Sequence, residues 1–217
     1  MPQLISSISV KLLENDKIIQ RKILLAIAKE LNRRFKKSRT RITDSIRKLV
    51  NDVVIVQPEI QELSRGILQA VFGIPAGRET TAIKDIVEAI SNSVIVEIKE
   101  VSQAGSKVLK GGMLIYIQPK RLSNLLNLPS GVVQTEKGST LPWLSWLLLA
   151  GDKILIADHE VHYTKGTGRS GLATMQPTGG VFRVPPSYSG TANNNFITRA
   201  LKGVEKRLTK IIQKNLR

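Results

Sequence analysis

The chain has no cysteine among its 217 residues. Disulfides, thiolate metal sites and cysteine nucleophiles are therefore excluded, and a reducing compartment is expected. Aromatic residues are only 4%, and the two histidines, His159 and His162, are a thin supply for acid–base work. No apolar run approaches the ~18 residues of a membrane span. The longest, LPWLSWLLLA at 141–150, is interrupted by a proline and a serine, so no membrane association is expected. The opening MPQLISSISVKLLENDK has no basic stretch followed by an apolar core and a cleavage site, so no signal peptide is expected. What remains, 41% hydrophobic and 23% charged, is ordinary globular composition rather than disorder.

Acidic residues are scarce as well: 17 Asp and Glu stand against 33 Lys and Arg, a net charge of +16. The excess lies at the ends, with +9 over residues 1–49, +6 over 199–217 and +1 between them. Two basic ends around a neutral body suggest a polyanion or an acidic protein partner, or simply a solvated helix surface. The same shift divides the chain into a basic helical arm at 1–52 and a core at 53–217, the two also being compatible with one domain.

Hydrophobic period predicts a helix over 15–37, where Ile19, Ile23, Ile27, Leu31 and Phe35 recur every four residues and Leu24 and Ala28 widen the stripe. A second short helix is expected over 41–51. A third should start at Pro58 and end at Gly73, and a fourth should be capped by Thr80 or Thr81. The period then changes to two. SVIVEIKEV (93–101) reads as a strand, and after the QAGSK turn KVLKGGMLIYIQP supplies its partner, ending at Pro119. RLSNLLNL is a helical turn, and STLPWLSWLLLAG a helix capped by Ser139 or Thr140 and closed by Gly151. DKILIAD and EVHYTK suggest a hairpin turning at Asp158-His159, followed by a long loop at 165–195 around a short VFRV strand. A last helix begins near 193–195, with Ile197, Leu201, Val204, Leu208 and Ile211 on one face. The class is α+β: N-terminal helices, a small antiparallel sheet, a long Gly/Pro-rich loop and a C-terminal helix packed on the sheet.

Three motifs touch on chemistry. KGTGRSG (165–171) contains G-x-G-x-x-G, but a dinucleotide site needs a helix after it and an acidic residue ~20 positions on. Here LATMQPTGG follows, and no Asp or Glu occurs between Glu160 and Glu205, so the segment reads as a turn and no cofactor is expected. DHEVH places His159 and His162 three apart in an apparent hairpin, whereas zinc-protease histidines lie four apart on one helical face. Metal binding is not expected. The pairs Glu59/Glu62 and Asp85/Glu88 fit exposed helix faces, and no serine-nucleophile motif is present. Trp143 and Trp146, on one side of a helix, fit base stacking, core packing or a subunit contact.

Several segments together resemble the neck proteins of tailed bacteriophages, the head–tail connector and tail-completion group. They are PEIQELSRGILQAVFGIP, LPWLSWLLLAGDKILI, GRSGLATM and FRVPPSYSGTANNNFITRAL, spread over residues 55–205. The resemblance implies a non-enzymatic virion component at the head–tail interface, made in the host cytoplasm. Such proteins form a ring, commonly sixfold, between portal and tail, with the genome passing through the lumen. Portal, adaptor or tail proteins would be its neighbours. On this reading Trp143, Trp146, Arg169, Arg183, Tyr188 and Phe196 are candidate subunit contacts, and the loop at 165–195 is a docking arm that orders on assembly. Arg33, Arg34, Lys36, Lys37, Arg39 and Arg41 would line the lumen or meet acidic neighbours. The alternative is a free nucleic-acid-binding protein that uses its basic terminal helices, which predicts steep salt dependence.

Overall fold

A computed structural model describes residues 15–105, 107–118, 122–135 and 138–216. The start of the expected basic arm (1–14), Ser106 of the QAGSK turn, Pro119 and Arg121 lie outside them.

Helix α1 (Asp16–Val54) is continuous over 39 residues. No glycine or proline interrupts it, and the Asn15 side chain accepts from the Lys17 amide at its start. The two helices expected at 15–37 and 41–51 are thus one. Ser38 bridges them because its hydroxyl donates back to the Arg34 carbonyl at 2.7 Å, satisfying itself without leaving helical geometry. Pro58 then opens α2 (Pro58–Arg65), and α3 (Ile67–Phe72) follows after Gly66, which is left-handed at φ 103° and splits the expected single helix. Gly73, at φ 61°, closes α3. Helix α4 (Glu79–Asn92) starts one residue ahead of the expected threonine caps, with no side-chain cap.

Strands β1 (Ile95–Gln103) and β2 (Leu109–Tyr116) pair with each other. A short α5 (Ser123–Leu126) and a single 3₁₀ turn (Pro129–Gly131) precede β3 (Val133–Gln134), which pairs antiparallel with β4 (Thr140–Leu141). The tryptophan helix, α6 (Trp143–Leu149), begins after Pro142 because Thr140 belongs to that strand pair. Then come β5 (Ile156–Ala157), β6 (Glu160–Tyr163), β7 (Ala173–Gln176), β8 (Val181–Phe182), α7 (Phe196–Leu201) and α8 (Glu205–Leu216).

The class is α+β, its strands forming small antiparallel ribbons among the described residues. The expected hairpin across Asp158-His159 is not formed. Asp158 does turn the chain, at φ 60°, but β5 pairs with β8 (Ile156↔Phe182) and β6 with β7 (Val161↔Met175). KGTGRSG is the turn of the β6–β7 hairpin, closed by Gly166 N–H to the Gly171 carbonyl at 2.8 Å. Gly168 is required there, since a Cβ would lie 2.0 Å from the Ala173 carbonyl oxygen.

The last helix is interrupted. Gly203, at φ 83°, separates α7 from α8. Asn195 is fully buried at the start of α7, accepting from the Ile197 and Thr198 amides, while Thr198 Oγ1 accepts from the Asn195 amide. Helix α8 lies beside the later part of α1. Ser45, Lys48 and Leu49 form one wall of their shared groove, and Arg207, Lys210 and Ile211 the other.

The contacts divide the chain into two compact units, with one division at Arg39 within α1. Among the described residues the first comprises 15–39, 96–105, 107–114 and Leu216. In it the Asn32 amide side chain exchanges two hydrogen bonds with the Val101 backbone, at 2.9 and 2.8 Å, fixing α1 to β1. The second unit holds the main core. Ile42, Ile46, Leu63, Leu68, Ile86, Ile90, Trp143, Leu144 and Phe196 are all at most 1% exposed. Among the described residues no helix is long and apolar enough to cross a membrane.

Candidate functional site

In the first unit the cations expected to meet a polyanion are largely engaged with the chain itself. Arg33 donates to both carboxylate oxygens of Glu30, at 2.8 and 2.7 Å, and Arg34 adds a third bond at 2.8 Å. The spacings i+3 and i+4 bring all three onto one helical face. Hydrogen bonds from Arg33 first, then from Arg34, hold the Glu30 carboxyl down at about 2, and the same bond raises the Arg33 guanidinium. Arg34 also donates to the Leu216 carbonyl at 3.2 Å, and Arg39 to the Val96 carbonyl at 2.9 Å. Lys36 and Lys37 are exposed, and Lys36 faces Glu97 and Glu100 across a shallow groove. Arg41, in the second unit, reaches the Asn215 carbonyl at 3.5 Å.

The N-terminal half of α1 carries something the charge count hides. Ile18, Ile23, Leu25 and Ile27 are 49, 54, 48 and 44% exposed. At about 100° per residue, Ile27 lies roughly a quarter turn, and Ile23 more than a third of a turn, to one side of the line through Ala28 and Phe35. Ile18 and Leu25 lie roughly a quarter turn to the other side. Among the described residues the helix therefore presents two separate uncovered apolar faces. The stripe read from the sequence merged one of them with the packed face.

In the second unit the candidate subunit contacts separate into core and surface. Trp143 is 0% exposed, stacks against Phe72 at 5.6 Å and donates its indole N–H to the Ser130 carbonyl at 3.0 Å. Phe196 is 1% exposed. Both are core residues, so neither is available to a neighbouring subunit. Trp146 is half-buried, edge-on to Phe182 at 6.0 Å. Arg169 anchors the β6–β7 turn by donating to the Gly73 carbonyl at 3.3 Å. Tyr188 is half-buried and Arg183 exposed.

The expected docking arm is folded against the rest of its unit. Ser170, Val184 and Asn195 are buried, and β7, β8 and the Thr191↔Asn194 bridge order the segment between them. Arg199 beyond it pairs with Glu59, a carboxylate only 1% exposed, and also donates to Asn194 at 3.3 Å.

Between the end of α3 and three strand pairs lies a cleft of about 480 Å³. Its walls are mainly apolar, with Trp146, Ile156, Val161 and Phe182, and Arg169 and His159 stand at its edge. No carboxylate lines it among the described residues, so it lacks the paired acids that general acid–base chemistry uses. No group of three or more His, Asp or Glu able to hold a metal occurs among the described residues.

The basic C-terminal end read from the sequence resolves into an ordered surface whose residues the sequence reading did not name. On α8, Lys206, Lys210 and Lys214 recur every four residues, with Arg207 beside them, all exposed and opposite the half-buried Leu208, Ile211 and Ile212. The four-residue period of the lysines was the available signal. No family model, curated protein or solved structure matches the chain.

Proposed function

We propose that the chain is a structural subunit of a tailed-phage neck, a head–tail connector or tail-completion protein. It forms a closed ring with copies of itself, about six, between portal and tail. The observation that carries this reading is the convergence of the four segments that resemble neck proteins. The phenylalanine-glycine turn at Phe72-Gly73 receives Trp143 of the second segment and Arg169 of the third. Glu59, in the first, receives Arg199 of the fourth. Motifs scattered over the sequence thus make one body, which supports treating them as a single inherited pattern.

The two uncovered apolar faces of α1 support the ring. A twofold dimer uses one patch against itself, whereas a ring subunit needs two different patches, one for each neighbour. Half-exposed isoleucines on both sides of one helix supply them.

Immunogold electron microscopy of particles carrying the chain tests the location. Label confined to the head–tail junction is expected. Label along the tail, over the capsid or absent altogether would overturn the proposal.

A further inference from the structure

We infer that the outer face of α8, with Lys48 of α1 beside it, is a sequence-independent contact for the sugar–phosphate backbone of duplex DNA. Naming the genome as that DNA rests on the neck reading, whereas the charge chemistry does not.

Lys206, Lys210 and Lys214 stand about 6 Å apart along the helix axis, and so span about 12 Å. Arg207 and Lys210 continue across the groove to Lys48. None of these five cations lies within ion-pair distance of a carboxylate among the described residues, although Asp52 lines the same groove. That separates them from Arg33 and Arg34, whose charge Glu30 already balances in part.

The composition of the face selects the partner. Its other exposed residues on the helix beyond Glu205 are Thr209 and Gln213, and no large apolar or aromatic side chain is exposed among the lysines, Ile211 and Leu49 of the groove being half-buried and buried. Protein interfaces are depleted of lysine and are anchored by buried aromatic or aliphatic groups, which this face lacks. Phosphate backbones are held by the residue types present, Lys, Arg, Thr and Gln. Single strands would call for aromatic stacking platforms, so a duplex is the better fit. Flexible lysines acting as point charges read no bases, so binding should be indifferent to sequence.

Fluorescence anisotropy of the full chain on a 30-base-pair duplex, repeated over a range of salt, tests this. Each phosphate neutralised contributes about 0.9 to the slope of log affinity against log salt, so the five cations predict a slope of about 4 to 5. K206Q/K210Q/K214Q should lower it by about 3, with affinity falling alike on unrelated sequences. R33Q/R34Q should change it by less than 1. A triple variant that binds like the wild type overturns the inference, as does wild-type binding to polyglutamate but not to duplex. Failure here with correct location at the neck would sink only this inference. Salt-dependent duplex binding by a chain absent from virions would sink only the neck reading.

Discussion

If α1 makes the lateral contacts, replacing Ile23 and Ile27 by glutamate should abolish assembly and leave the monomer folded. Full burial of an isoleucine is worth about 1.5–3 kcal/mol. Ile23 and Ile27 are 54 and 44% exposed, so about 1 kcal/mol each remains for a neighbour to gain by covering them. Together that is about 2 kcal/mol, or roughly 30-fold in the affinity of each contact. Glutamate forfeits this gain and strands a carboxylate against apolar surface, raising the loss to several kcal/mol, about a hundredfold or more. Because both side chains already sit half in water, the monomer's melting temperature should move by only a few degrees. Sedimentation velocity across a concentration series, with circular dichroism as the control for folding, reads both quantities.

The pair I18E/L25E should fail in the same way. A one-to-one mixture of the two double variants is then decisive. In a ring, the intact face of one meets the intact complementary face of the other, giving heterodimers that cannot grow. Variants that assemble at wild-type concentrations would refute the reasoning. So would a mixture containing only homodimers, because that outcome belongs to a twofold contact.

Three further outcomes follow from the side chains described. Arg199→Ala leaves Glu59 buried without its cation and should cost roughly 3 kcal/mol, read by urea denaturation, with Glu59→Gln costing less. Trp143→Ala should cost about 3–5 kcal/mol whatever the assembly state, whereas Trp146→Ala, at a half-buried position, should cost clearly less in the same assay. Glu30 should stay ionised to about pH 2 in an NMR titration, its folded value lying below the ordinary 4.5. Any stability it contributes is therefore present above about 4.5 and lost as pH falls toward about 2, and Glu30→Gln should flatten that window.

Much of the architecture is legible in residue order because the signals are local. The period of four along Ile42 and Ile46, the proline at 58 and the asparagine before Phe196 each act within a turn of the helix they shape. Strand pairing is not local in this sense. The short runs ILIA and EVHY look alike as neighbours, yet their partners lie 24–26 and 10–16 residues downstream. That choice is made by where Trp146 packs on Phe182 and Arg169 on Gly73, contacts no period announces.

The surface was harder to read than the core. Arg33 and Arg34 looked like free charge, although Glu30 at i−3 and i−4 already signalled a neutralising cluster. Trp143 and Phe196 looked like contact residues because large aromatics mark interfaces, but the same property fills cores, and only burial separates the two roles. Uncovered apolar positions on α1 could not be told from packed ones, because the helix packs through Asn32 on Val101, a partner 69 residues away.

The central claim, a closed ring at the neck, is tested most directly by counting copies of the chain in purified particles. Quantitative mass spectrometry against the portal protein provides that count. About six copies per particle are expected for one ring of the favoured symmetry. Hundreds of copies, or none, would contradict it.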